Sequence, residues 1–383
     1  MRQSRMRKEP VMAIGITWVG LDAHKQFINV AMRTEGGDFV EWKVANEPRA
    51  VKRLAKKLVR EAKGSEVRCC YEAGPCGYAL QRQMMEAASV VVEVIAPTLI
   101  PRKPGDRVKT DRRDARKLCE LLQAGLLTEV RTPTEEDEAL RDLSRCREDL
   151  TEDLMRARHR MGKMLLRRNI RYTGGTKAWT RKHRDWLRSL SFENAALEAV
   201  FDDYLLAITQ LEERIKTVDA QIETAAAQDA HRGAIGWLRC FRGIDMVTAF
   251  GIYSELYDFR RFESPRKLMG YLGITPSEHS SGGKPNRGAI TKTGNGHVRR
   301  LLVEAAQHYR HRPSTGVKLR KRREGQPGGV VAIAEKAQHR LHRRYHRLVL
   351  RGVASNKAKI AVARELAGFI WAAMNHEQLG QAA

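Results

Sequence analysis

The strongest constraint on the fold is the way hydrophobic periodicity changes along the first 130 residues. The stretch "ITWVGLDA" (Ile16–Ala23) is β-branched and aromatic and reads as a strand. After short polar connections come "QFINVAMRT" and "DFVEWKVAN", and three strands so closely spaced imply an antiparallel meander. The period then lengthens. In "EPRAVKRLAKKLVREA", Val51, Leu54 and Leu58 share one helical face. "EVRCCYEA" reads as a fourth strand, "GYALQRQMMEAAS" as a helix and "VVVEVIAP" as a fifth strand. A basic loop, "TLIPRKPGDRVKT", leads into the helix "DRRDARKLCELLQAGLL". The order β-β-β-α-β-α-β-α predicts an α/β domain.

From about Pro133 to Asp229 glycine and β-branched residues thin out, and Arg, Glu, Leu and Met take over. Tyr204, Ile208, Leu211, Ile215, Val218 and Ile222 recur at alternating spacings of four and three, the pattern of a coiled-coil seam. A seam this short suits a helical hairpin within one chain as well as a dimer zipper. The stretch "RARHRMGKMLLRRNIRY" is too basic for a plain spacer. Glycine returns in "LRCFRGIDMVTAFGIYSEL", which reads as helix, tight turn at Gly243, helix. Such an element is either an ordinary helical corner or a helix–hairpin–helix, whose turn amides can bind a phosphate without reading sequence. Beyond it lies "GITPSEHSSGGKPNRGAITKTGNGHVRR", rich in glycine, serine and base. From about Pro313 the chain reads as helical and basic.

Charge narrows the partners. Seventy Lys and Arg against 45 Asp and Glu give a net +25, with a pI near 10.1. That points to a polyanion, nucleic acid before anionic membrane. From Ser281 to Leu350, 17 basic residues face three acids, a concentration that a solvated face of mixed signs does not have. No apolar run is long enough to span a bilayer and no signal-peptide layout is present, so a cytoplasmic protein, nucleoid-associated when acting, is expected. The six cysteines form no paired zinc pattern and read as reduced thiols. Tryptophans and tyrosines are scattered, without an evident stacking platform.

Four acids stand at telling places. Asp22 ends the first strand, Glu72 ends the fourth, and Asp111 and Asp114 share one face at the start of a helix. Singly, a helix cap or an arginine partner accounts for each. Together they form the hard-oxygen set that Mg2+ or Mn2+ requires, with room for phosphate oxygens.

"GLDAHKQFINVAM", "YEAGPCGYALQRQM" and "IPRKPGDRVKTDRRDARKLCELLQAGLL" resemble the N-terminal domain of DEDD transposases of bacterial insertion sequences. These form the "IS one-ten" family, in its "one-one-one-one" branch, also called bridge-RNA-guided recombinases. "LRCFRGIDMVTAFGIYSEL" and "LGITPSEHSSGGKPNRGAITKTGNGHVRRLLVEAA" resemble its C-terminal transposase domain. The resemblance implies an RNase H-like, RuvC-like fold for residues 15–130 after a basic arm at 1–14. It also implies a helical coiled-coil region at 131–232, a mainly helical transposase domain at 233–312, and a basic helical region at 313–383. Asp22, Glu72, Asp111 and Asp114 become a catalytic, metal-binding tetrad. Ser281, directly before Gly282, becomes a nucleophile able to form a covalent link to DNA, with Ser280 beside it the alternative. Lys109, Arg112, Arg113, Lys284, Arg287, Lys292, Arg299 and Arg300 are the expected nucleic-acid contacts. The implied partners are donor and target DNA, a structured bridge RNA and further copies of the chain. Two other readings compete: a junction nuclease that only hydrolyses DNA, and a non-enzymatic nucleic-acid-binding protein.

Overall fold

The computed structural model describes residues 15–34, 36–101, 111–278 and 286–376. The chain divides into two compact units, one ending at Thr132 and the other beginning at Pro133.

The first unit contains strands β1 (Ile16–Ala23), β2 (Phe27–Arg33) and β3 (Phe39–Ala45), helix α1 (Pro48–Glu61), β4 (Glu66–Glu72), α2 (Ala79–Ala87), β5 (Val90–Ile95) and α3 (Asp111–Gln123). Its five-stranded sheet has the order β3-β2-β1-β4-β5. The first three strands pair antiparallel, as the short connections require, while β1–β4 and β4–β5 pair parallel across helical crossovers. This mixed sheet is consistent with an RNase H-like domain.

Side chains alternate across the sheet, so each strand has two fates. Val19 and Leu21 of β1 enter the core beneath α1 and α2, with Val51, Leu54, Leu58, Leu80 and Met84. Trp18, Gly20 and Asp22 point the other way, toward α3, where Ala115, Leu118, Cys119 and Leu122 pack in two small clusters. Gly20 makes the close approach of α3 possible. A Cβ there would lie 2.0 Å from the carbonyl oxygen of Ala115 and 2.5 Å from the Cys119 nitrogen. The thiols of Cys119 and Cys70 reach the carbonyls of Trp18 (3.3 Å) and Leu118 (3.6 Å), tying the helix to the same face. Burial pushes the Cys119 thiol up to about 12, so it stays protonated as a donor.

The second unit is mostly helical. Helix α4 (Glu135–Leu166) opens with a reciprocal Thr134–Asp137 capping box and is followed by α5 (Arg181–Arg188) and α6 (Ala195–Ala226). Along α4 and α6 the partners run in opposite directions: Arg147 meets Asp219 at 2.8 Å and Arg158 meets Glu212 at 2.6 Å. The apolar seam is therefore spent inside the chain. Tyr204, Ile208, Leu211 and Ile215 pack with Leu154, Met161 and Met164, while Val218 and Ile222 join the larger core. Next come α7 (Asp229–Arg239), α8 (Met246–Leu256), α9 (Pro265–Tyr271), the strands β6 (Pro276–Glu278) and β7 (Arg287–Ile290), and α10 (Gly296–Ala306). Helices α11 (Val317–Arg323), α12 (Gly328–Leu350) and α13 (Ser355–Met374) complete the unit. The residues of α13 facing the core, including Val362, Ala363, Leu366 and Ile370, are almost wholly buried.

Gly20→Ala should destabilise the protein by about 1–3 kcal/mol, because backbone rather than a flexible side chain must give way. Urea unfolding would show a lowered midpoint; an unchanged midpoint would mean that α3 does not rest on Gly20.

Candidate active site

Asp22 and Gly20 lie two residues apart on one strand, and Asp111 and Ala115 lie one helical turn apart on α3. Seating Ala115 on Gly20 therefore brings Asp111 to Asp22. His24, just past β1, completes the group. Its Nε2 lies 3.0 Å from Asp22 Oδ2 and 3.7 Å from Asp111 Oδ2. One ligand atom from each of Asp22, His24 and Asp111 lies within 4.8 Å of the other two, so the three can hold a metal ion.

The loop that carries His24 is well anchored. Its N–H donates to Phe27 O at 2.8 Å, Asn46 Nδ2 donates to its carbonyl at 2.7 Å, and its ring lies 4.9 Å from that of Phe27. Burial pushes the Asp22 carboxyl above its ordinary range, and the Asp111 charge adds to this. The His24 ring and Asn29, opposite on β2, pull it back only in part. Acids crowded in this way are relieved by a cation, so the residues fit the divalent metal that a DEDD domain implies.

The other two expected acids share the region but not the cluster. Leu21 pairs with Tyr71, so the next residues, Asp22 and Glu72, end neighbouring strands at one sheet edge. Asp114 lies three residues along α3 from Asp111. Among the expected cationic contacts, Arg112 holds Glu41 on β3 (Nε to Oε2 2.6 Å), with Arg116 beside it at 3.1 Å. These hydrogen bonds keep the Glu41 carboxyl below its usual range and anchor the first turn of α3 to the sheet. Arg113 is exposed on that turn, and Lys109 lies outside the described residues.

Ser280, Ser281 and Lys284 also lie outside the described residues, but the chain on both sides of them is held in place. Strands β6 and β7 pair antiparallel. Gly273 (φ +61°) and Gly294 (φ +67°) allow two backbone segments to cross at contact distance. A Cβ on Gly294 would lie 1.9 Å from Tyr271 O, and one on Gly273 would lie 2.2 Å from Thr293 O. Arg299 turns inward rather than toward solvent, donating to Leu272 O (2.8 Å) and Thr293 O (3.0 Å). Arg300 pairs with Glu148 and Glu304. Lys292 is exposed, and its N–H donates to Gly273 O at 3.0 Å; Arg287 opens β7.

Beneath this region sits Glu255, only 2% exposed. It accepts from Arg145 Nε at 2.8 Å and from Asn295 Nδ2 at 2.7 Å, and Arg141 stands at 3.8 Å. Burial alone would raise its pKa, yet the hydrogen bonds and charge of Arg145, helped by Asn295 and Arg141, hold it below the ordinary carboxylate range. Asn295 in turn caps α10 through Val298 N at 2.9 Å. The turn at Gly243 (φ +83°) packs under α10: a Cβ there would lie 2.7 Å from Ala305 O. Asp245 takes the Thr248 N–H at 3.0 Å, which places a carboxylate at the start of α8, where a helix–hairpin–helix would receive a phosphate.

Three positions that shape the candidate sites carry little signal in the sequence. Gly20 is an unremarkable strand glycine, and Glu255 is the lone acid of an apolar helix. His24 carried a usable signal, a potential ligand two residues past a strand-end acid.

The family model "Transposase" (DEDD_Tnp_IS110) matches residues 19–169, and "Transposase IS116/IS110/IS902 family" matches residues 237–319. The chain is 41% identical to the protein y4qE of Sinorhizobium fredii, described as a transposase, over 93% of this chain and 87% of that one. It is 38% identical to the transposase for insertion sequence element IS1533 of Leptospira borgpetersenii, over 86% and 96%.

Two outcomes follow. Mn2+ at a hundredfold excess over its Kd should stabilise the protein by about 2.7 kcal/mol. Asp22→Asn should remove that gain while raising the metal-free Tm, since it deletes a penalised charge. Equal Mn2+ shifts in both proteins would rule out the site. For Glu255, a carboxyl held low gives stability that is present above its unfolded pKa and lost as pH falls through the folded value. Glu255→Gln should cost about 3 kcal/mol at pH 7 and flatten the stability profile below about pH 4.3, read by urea titration at stepped pH.

Proposed function

Because this chain belongs to the IS116/IS110/IS902 transposase family, and so to the proteins of DNA transposition, we propose that it cleaves, exchanges and rejoins DNA strands to excise and insert a mobile element. The observation that carries this reading is the meeting of Asp22, His24 and Asp111 at one edge of the sheet.

In the proposed chemistry Asp22 and Asp111 would hold the metal, with Glu72 and Asp114 as the remaining acids of the tetrad. A bound Mg2+ or Mn2+ would supply Lewis-acid stabilisation of charge on phosphate oxygens. His24, anchored on the Phe27 and Asn46 contacts, keeps the two carboxylates in register. Ser281 is the nucleophile. Its Oγ bonds to phosphorus as the bond to the leaving deoxyribose oxygen breaks; the serine proton passes to a base, and the leaving oxygen takes one up. The phosphodiester energy is thereby conserved for rejoining. Support for the serine is its place between two braced strands of the transposase match, with Lys284, Arg287 and Lys292 close by in sequence to neutralise phosphate.

In this proposal the chain comprises a basic arm (1–14), a RuvC-like part (15–130), a helical coiled-coil region (131–232), a serine-bearing part (233–312) and a basic helical part (313–383), with catalytic parts meeting across subunits of an oligomer. The wider basic surface suits donor and target DNA together with a structured guide RNA, where base pairing supplies sequence and the protein supplies shape recognition. No helix among the described residues is long and apolar enough to cross a membrane.

Strand-transfer assays on element-end DNA test the scheme. Asp22→Asn and Asp111→Asn should each lower cleavage by about a hundredfold or more. Ser281→Ala should abolish the protein–DNA adduct, while Ser280→Ala should leave it. Recombination at wild-type level by Ser281→Ala would overturn the covalent step and leave a hydrolytic junction nuclease.

A further inference from the structure

The catalytic reading does not use the end of the hairpin where α4 stops and α6 begins, yet this end holds a cavity walled by aromatic and apolar side chains. About 530 Å3 opens between the last turns of α4 and α5, walled by Met161, Leu165, Trp179, His183 and Leu187. That is the scale of small-ligand pockets. Rings that are scattered in sequence converge here. Tyr172 lies 4.9 Å from His183, Trp179 5.3 Å and Trp186 5.4 Å, centroid to centroid.

The wall is preorganised. Trp179 holds φ +62°, rare for a bulky side chain. Arg184 Nε donates to its carbonyl at 3.2 Å, and the Arg158 guanidinium lies 4.7 Å from its ring centroid. Glu212 holds both arginines. His183 is 9% exposed, and its Nδ1 is shut from solvent without a hydrogen-bond partner. A buried polar atom left unpaired in a native fold calls for an explanation. Burial, with Arg184 adding, holds this imidazole below its ordinary pKa, so it is neutral at pH 7.

The surroundings select the occupant. From Met155 to Leu190 twelve Lys and Arg face one acid, Asp185, a net +11. Arg158, His159 and Lys163 line the cavity itself. A second copy of the chain would bring the same charge to the same place and be repelled. A polyanion with flat apolar rings complements both the charge and the slot.

We propose that this cavity receives an unstacked base of a single-stranded nucleic acid, its ring against Trp179, its polar edge toward His183 and its phosphates on the surrounding lysines and arginines. The proposal rests on the nucleic-acid role proposed above, but not on Asp22 or Ser281.

The test uses the full chain and two dodecamer probes, oligouridine and oligothymidine, each with one central 2-aminopurine, plus a duplex of the same length. Gly162 lies in the cavity wall with nothing within 4 Å of an added Cβ, so Gly162→Met fills the space without disturbing the helix. Wild-type protein should quench the 2-aminopurine, and both Gly162→Met and Trp179→Ala should lose the quenching and bind single strands about tenfold more weakly. Duplex binding should not change. Asp22→Asn should quench like wild type, so failure of the strand chemistry and failure of this site are told apart. Tighter binding of one probe assigns the source, RNA or DNA, and either assignment supports the site. Unchanged quenching in Gly162→Met overturns the proposal. So would loss of self-association in that variant with single-strand binding intact, which would give the cavity to a second copy.

Discussion

The candidate site of the first unit depends on a close backbone contact, the seating of Ala115 on Gly20. A side chain at position 20 would lift α3 from the sheet, and Asp111 would leave Asp22 with it. Helix and strand run past each other with nearly commensurate repeats: two strand residues and one helical turn are each about 6 Å. One close contact therefore fixes a second pair of residues a step further along. The acids themselves oppose this arrangement, since burial and mutual charge raise Asp22. The energy that holds them together comes from elsewhere, from apolar packing under α3 and from the Glu41 clamp on Arg112 and Arg116. A site built against its own electrostatics is arranged for a cation.

The second unit solves a similar problem with a buried charge. Glu255 faces two arginines and an asparagine beside a core built of apolar side chains such as Phe250, Leu256, Val298 and Leu302. Its partners come from α4 and from the residue that caps α10, so one carboxylate links segments more than a hundred residues apart. Gly273 and Gly294 then let the backbone on either side of β6 and β7 cross without side chains between them. Arg299, expected to reach a phosphate, is consumed in fastening that crossing. Its spacing in the sequence marked a basic segment correctly, but could not say which base points inward.

What the sequence disclosed follows from the range of the interactions. Strand and helix order in the first unit was legible because alternation and 3.6-residue spacing are local. The acids at strand ends were legible because apolar strands announce where they stop. His24 was passed over because its value depends on Asp111, 87 residues away, and α3 had to be docked before the two could be seen together. The four-and-three spacing along α6 does not name a partner; within this unit α4 packs against its first four positions. The aromatic cluster was invisible for a related reason. Tyr172, Trp179, His183 and Trp186 have neither strand nor helix spacing as a set, because an irregular segment folds them back onto α5.

The distribution of charge ties these observations together. The net +11 between Met155 and Leu190 and the net +14 between Ser281 and Leu350 equal the whole +25, while the remaining segments, some basic and some acidic, sum to zero. The α/β unit, residues 1–132, is itself basic, with 25 Lys and Arg against 16 Asp and Glu, a net +9, yet its candidate site is acidic. A phosphodiester approaching Asp22 and Asp111 meets repulsion unless a cation intervenes. The densest positive charge lies in the second unit, at the hairpin end and in the basic helices after the serine segment, with a smaller surplus in the first. Such a chain separates holding nucleic acid from acting on it. In the proposed scheme the positive stretches would supply long-range, salt-sensitive capture, and the acidic cluster would act only with a cation in place.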